Sequence, residues 1–209
     1  MSSSKKITIV DYKCGNLFSL IRILESLNCK IIISNKYEEI INSDRILLPG
    51  VGSFEVGYGN LKKDNLNQAI SEFIKKGNHL LGICLGMQLL LSESSEFGTH
   101  SGLNLIPGKV KKLQNDENIK IPHVGWNSIQ PSNINRSPLI NEFKDISNFY
   151  FTHSYAAFTD NVSDTIATTR YGKNIFSSVI VKNNVVGVQF HPEKSGIKGE
   201  KLISNFLKF

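Results

Sequence analysis

The run Gly82-Ile83-Cys84-Leu85-Gly86 lies between an apolar stretch at 80–83 and an amphipathic one at 87–91. A strand that passes at once into a helix, with a thiol at the bend, is the pattern of a nucleophile elbow. Such a turn holds its central residue in a sparsely populated backbone conformation, and only glycine-sized neighbours escape a clash there. It lifts the sulfur clear of the sheet and sets it at a helix N-terminus, where the positive end of the dipole favours thiolate.

The first half of the chain fits an elbow built on a parallel sheet. Residues 7–11, 30–34 and 45–48 read as strands, the last closed by Pro49-Gly50. Apolar residues at Leu17, Leu20, Ile21, Leu24 and Leu27 predict a helix over 16–27, and a second is predicted over 65–76 with Gly77 as its stop. This alternation implies an α/β fold, a mostly parallel central sheet with helices on both faces and reactive residues at the carboxyl ends of the strands. The second half changes character. Short strands are expected at 108–112, 149–154, 166–170, 177–182 and 185–190, with a tight hairpin at Lys182-Asn183-Asn184-Val185. The polar segment 130–145 reads as a surface excursion, and 199–209 as a closing helix. The expectation is one domain over 1–209, with a small antiparallel extension to its sheet.

At 209 residues the chain can bury roughly 70% of its unfolded surface, so it needs no metal or disulfide to fold. Its three cysteines, Cys14, Cys29 and Cys84, are odd in number and lack paired spacing, which argues for a reducing compartment and against a zinc site. No apolar run is long enough for a signal peptide or a membrane span, so a cytoplasmic location is expected. The net charge of +6 comes from lysines scattered singly or in pairs among acidic residues, with no arginine cluster or aromatic row to bind nucleic acid.

A thiolate nucleophile needs a base, and the base needs an orienting group. His191, in Gln189-Phe190-His191-Pro192-Glu193, ends an apolar strand, and Pro192 biases it towards extended backbone. In such backbone residues two apart share a side, which lets Glu193 reach the imidazole. Alone, a histidine there caps a sheet; beside an acidic partner and a cysteine elbow it reads as the base. An oxyanion hole would draw on the N–H of Leu85 and on Gly50 and Val51 in the glycine-rich loop Pro49-Gly50-Val51-Gly52. Such a loop could also cradle phosphate, but Ser53-Phe54-Glu55 supplies no P-loop lysine, so acyl chemistry is favoured.

Taken together, Gly-Ile-Cys-Leu-Gly-Met-Gln at 82–88, Pro-Gly-Val-Gly-Ser-Phe at 49–54 and Gln-Phe-His-Pro-Glu-Lys-Ser at 189–195 resemble the class I glutamine amidotransferases, three-layer α/β proteins with a Cys-His-Glu triad. Asp11-Tyr12, Gly15-Asn16-Leu17, His123-Val124-Gly125-Trp126-Asn127 and Tyr150-Phe151-Thr152-His153-Ser154-Tyr155 look like the glutaminase subunits of imidazole glycerol phosphate synthases. So does Met87, where the chorismate-linked glutaminases usually carry histidine. The resemblance implies that Cys84 forms a glutamyl thioester, His191 shuttles protons and Glu193 holds His191. It places L-glutamine against Gly52, Gln88, Glu96, Ser154 and Tyr155, and a synthase partner against Asn16, Trp126 and Lys194. It implies no cofactor. The implied partner is a barrel-shaped cyclase subunit, in a heterodimer, that receives ammonia. One departure stands out: Lys13-Cys14 follows Asp11-Tyr12, where the family commonly has glycine, adding bulk and charge near the expected interface. A paralogous glutaminase serving a surface-sugar amidotransferase, one serving a chorismate-using synthase, a cysteine peptidase and a binding module with a relic elbow are the competing readings.

Overall fold

The computed structural model describes residues 6–117, 119–133, 137–143 and 147–209; residues 1–5 and parts of the 130–145 segment lie outside the described residues. The first half runs β1 (Lys6–Val10), α1 (Phe18–Ser26), β2 (Lys30–Ser34), α2 (Tyr37–Ile41), β3 (Arg45–Gly50), α3 (Phe54–Lys63), α4 (Leu66–Lys75), β4 (His79–Cys84) and α5 (Leu85–Leu89). The second half adds β5 (Glu93–Ser94), β6 (His100–Ser101), β7 (Gly108–Lys112), β8 (His123–Pro131), β9 (Ser147–His153), β10 (Tyr155–Thr159), β11 (Thr165–Tyr171), β12 (Asn174–Lys182), β13 (Val185–Val188) and α6 (Gly196–Lys208). Strands β2, β1, β3, β4 and β13 lie side by side and parallel. From β13 the sheet continues antiparallel through β12, β10 and β7, and a branch runs from β12 through β11 and β8 to β9.

Parallel strands are buried on both faces, and alternation along each strand sorts side chains between two cores. Ile7, Ile9, Leu47, Leu81 and Ile83 pack with Leu20 and Leu24 of α1 and Leu202, Ile203 and Phe206 of α6. Val10, Ile46, Leu48 and Leu80 face the other way, onto Ile40, Leu61, Phe73 and Leu89 of α2 to α5. Each fully buried side chain of this size contributes about 1.5–3 kcal/mol of transfer free energy.

Most expected elements are present, with ends shifted by a few residues: the helix read at 16–27 is Phe18–Ser26, and the strand read to 190 stops at Val188. The hairpin between β12 and β13 turns on Asn183 at φ 54°. One reading needs correction: the segment 130–145 is no plain surface excursion, because Leu139, Ile140 and Phe143 are buried in the core. Glu96 follows the short strand β5. Helices α2 and α3 and strands β5, β6, β8 and β10 were not foreseen. Helix α3 carries Gly57 and Gly59, which weaken its helical pattern; a Cβ at Gly57 would press on the Leu85 side chain at 3.1 Å.

Candidate active site

Strand β4 delivers Cys84 to its carboxyl end in the backbone conformation φ 53°, ψ −107°, and α5 starts at the next residue. The flanking glycines explain how so tight a turn packs. A Cβ on Gly86 would lie 1.7 Å from the Leu48 carbonyl oxygen, and one on Gly82 would lie 2.8 Å from the Gly86 backbone and Met87 N. Gly50, in register with Cys84 on the neighbouring strand, is similarly confined: a Cβ there would meet the buried Tyr12 hydroxyl at 1.9 Å.

His191 follows β13 and is 2% exposed. Its backbone N–H donates to Tyr150 O at 2.8 Å, and its carbonyl accepts from Ser195 Oγ at 2.6 Å, so β9 and the start of α6 both pin it. Its Nδ1 lies 2.6 Å from Glu193 Oε1, an ion pair buried on both sides. The contact forms for a different reason from the extended backbone expected of the sequence. Residues Pro192–Lys194 form a single 3-10 turn, which folds Glu193 back under the ring. With Nδ1 engaged, Nε2 is the nitrogen left for the thiol. Nε2 has no partner at ordinary hydrogen-bond geometry, yet the Cys84 sulfur lies near enough to favour the protonated ring, as a hydrogen-bond acceptor ahead of its charge. Burial opposes the imidazolium, but Cys84 and then Glu193 outweigh it and raise His191 to about 10. The unfolded imidazole titrates near 6.5, so this pairing adds stability that is complete below that pH and lost as pH rises through about 10.

Beside the sulfur lies a cavity of about 320 Å³ lined by Val51, Gly52, Cys84, Leu85, Gln88, Glu96 and 152–155. All five residues expected to hold glutamine therefore border one hollow. Glu96 Oε2 accepts from the Phe54 N–H at 2.6 Å, fixing the start of α3 and the carboxylate together. Gln88 Nε2 donates to Tyr155 O at 2.8 Å. Hollows of about 460 and 660 Å³ lie elsewhere, around Tyr37 and Glu72 and around His79 and Phe209, and contain no cysteine.

The three groups expected to form an oxyanion hole are not equivalent. Leu85 N–H opens α5 beside the sulfur. The Val51 N–H, however, donates to Cys14 O at 2.6 Å, so it points into the Lys13-Cys14 loop instead of the cavity. Gly50 stays within β3. Among the described residues, no group of His, Cys, Asp and Glu is placed to hold a metal ion.

A family model described as "Glutamine amidotransferase class-I" matches residues 8–209. The chain belongs to the class I glutamine amidotransferase family. It is 46% identical over 200 residues to the imidazole glycerol phosphate synthase subunit HisH of Chlorobium chlorochromatii (strain CaD3), covering 96% of this chain and 98% of that one. It is 43% identical over 204 residues to the protein of the same name from Lactococcus lactis subsp. lactis (strain IL1403), with 98% of each covered. Among solved structures, that of PurLQS from Thermotoga maritima superposes with a TM-score of 0.72 over 98% of both chains, at 19% identity, a likeness of fold.

On the outer surface of this amidotransferase, Trp126 is 59% exposed and packs edge-on against Tyr150, with ring centroids 6.3 Å apart. Lys194 Nζ lies 5.6 Å from the same Tyr150 ring, so two of the three residues assigned to a partner surface share one aromatic anchor. Asn16 is exposed just before α1, and its Oδ1 accepts from Phe18 N–H at 3.3 Å. Sequence reasoning missed Gln189, fully buried, whose Nε2 lies 3.9 Å from Cys84 Sγ, and Thr152, whose carbonyl is 3.9 Å from the same atom. The two-residue alternation that was run forward from His191 to Glu193 would have found Gln189 if run backward.

The amidotransferase also buries a second pair of imidazoles. His123 and His153 are 2% and 7% exposed, and burial lowers them to about 4 and about 3. Neighbouring His123 and, more weakly, His191 add to the depression of His153. The unfolded imidazole binds a proton below about 6.5, whereas the folded His153 stays neutral down to about 3. Its burial therefore adds stability present above 6.5 and lost as pH falls through that window, about 2 kcal/mol by pH 5. Urea unfolding should report this slope, and His153→Leu should flatten it; an unchanged slope would contradict a neutral buried imidazole.

Proposed function

We propose that this amidotransferase is the glutaminase subunit of an imidazole glycerol phosphate synthase, cytoplasmic and folded as one domain. The observation that carries the reading is the buried Cys84–His191–Glu193 constellation, whose cysteine opens on a cavity of about 320 Å³ that Gln88 and Glu96 also line. The near full-length similarity to proteins named HisH supports the choice of synthase.

Glutamine enters with its amide beside Cys84 and its α-ammonium towards Glu96, while Gly52, Gln88, Ser154 and Tyr155 hold its remaining polar groups. The Cys84 thiolate attacks the amide carbon, and the carbonyl oxygen takes negative charge beside the Leu85 N–H. The His191 imidazolium, steadied by Glu193 at 2.6 Å, gives its proton to the departing nitrogen as the C–N bond breaks. Ammonia leaves a glutamyl thioester. His191, now neutral, takes a proton from water, hydroxide adds to the thioester, and glutamate departs as the thiolate returns.

A second oxyanion donor would come from Val51 only after its bond to Cys14 O breaks. The Cys14 carbonyl belongs to the loop that precedes Asn16, on the surface assigned to the partner. Docking of the cyclase subunit against Asn16, Trp126 and Lys194 therefore has a short mechanical route to the oxyanion loop. Ammonia released into water would be protonated and lost as a nucleophile, so hydrolysis that waits for the acceptor is the economical arrangement. Glutamine hydrolysis should rise at least about tenfold when the cyclase subunit and its nucleotide ligand are both added. A rate indifferent to both would overturn the proposal.

A further inference from the structure

His123 and His153 face each other across the β8–β9 ladder, and neither belongs to the Cys–His–Glu set. Their hydrogen bonds leave one tautomer for each. His153 Nδ1 lies 2.9 Å from Tyr155 O, and a carbonyl only accepts, so Nδ1 carries the proton and Nε2 a lone pair. His123 Nδ1, 3.2 Å from that lone pair, must then donate to it. His123 Nε2 is left to accept from Asn127 Nδ2 at 3.3 Å, while Asn127 also donates to Arg170 O at 3.0 Å. Aromatic rings wall the pair in: Tyr171 stacks on His123 at 3.9 Å, and Phe176 meets His153 edge-on at 5.0 Å.

The Tyr155 carbonyl is where this chain meets the site. It accepts from His153 on one side and from Gln88 Nε2, at 2.8 Å, on the other. Gln88 Nε2 also approaches Gln189 Oε1 at 3.3 Å, and Gln189 Nε2 approaches Cys84 Sγ at 3.9 Å. The orientation of one peptide, at the bend where β9 becomes β10, thus sets how Gln88 presents its amide to the cavity.

We propose that His153, backed by His123, is a positioning residue for glutamine: its Nδ1–H holds the Tyr155 carbonyl, and through it the Gln88 amide, in the orientation that receives the substrate. This rests on the glutaminase reading. The Tyr155 carbonyl accepts from both sides, so losing the His153 donor leaves it only the Gln88 N–H and frees the peptide to turn.

The test compares His153→Asn with His153→Leu in the complex with the cyclase subunit. The two side chains have nearly the same shape, but only asparagine supplies an N–H where Nδ1 stood. The leucine variant should show a KM for glutamine about tenfold above that of the asparagine variant. Their kcat values should differ less, and synthesis from added ammonium salt should be equal in both. Equal KM values overturn the inference while leaving the glutaminase reading intact, provided wild type turns over glutamine; a wild type that hydrolyses none overturns both. Nitrogen NMR of the unmodified protein reads the tautomer without any substitution. A proton on His153 Nδ1 is the expected result, and one on Nε2 would sink the proposal.

Discussion

Replacing Cys84 by alanine lowers glutamine-dependent synthesis by the complex at least about 10⁴-fold and leaves ammonia-dependent synthesis within about twofold of wild type. No other group can take over the attack. Cys14 is buried and hydrogen-bonded to Asn60 at 3.4 Å, and burial raises its thiol against the opposing pull of that hydrogen bond. Water in the cavity would have the imidazole as base but would lack the thioester that divides one hard step into two. The partner's own chemistry needs only ammonia, so an external supply bypasses the defect. Parallel loss of both activities in a folded complex would contradict the division of labour. The same substitution removes the sulfur that helps to raise His191, so its imidazole should titrate lower than in wild type.

Gly86→Ala should be among the most damaging glycine-to-alanine changes in this chain. Its Cβ would lie 1.7 Å from a backbone carbonyl oxygen of β3, a neighbour that cannot rotate away as a side chain could. Either α5 lifts from the sheet, carrying Leu85 N–H and Gln88 with it, or β3 shifts and disturbs the Val51 loop. A destabilisation of about 3 kcal/mol or more is expected, with glutaminase activity lost even in the folded fraction. Thermal unfolding and partner-stimulated hydrolysis measure the two effects separately. Gly59→Ala is the control, because nothing lies within 4 Å of its added Cβ. A Gly86→Ala protein as stable as wild type would mean that the elbow packs differently.

The parallel half of the fold was legible because its strands are short apolar runs and its helices carry regular apolar spacing. The elbow was legible because its steric demand leaves a local trace in glycine. The β8–β9 ribbon was harder. Val124 and Trp126 are more than half exposed, while His123 and Asn127 on the opposite side are polar, so β8 has no hydrophobic alternation to read. Its inward face is held largely by contacts to distant residues, His123 to His153 and Asn127 to Arg170, 30 and 43 positions away, which no short window on the chain contains. The cavity was legible in a different way: Glu96, Gln88 and Tyr155 were placed by resemblance, not by pattern. The Val51–Cys14 bond could not have been foreseen, since it depends on the path of two loops from separate strands.

The central claim is that one sulfur takes the glutamyl group. Treating the complex with a glutamine-like electrophile and mapping the modified peptide tests it directly. The account predicts one label per chain, on Cys84, prevented by excess glutamine and greatly slowed in His191→Ala. A label on Cys14 or Cys29 that spares Cys84, or one that glutamine does not block, would contradict it.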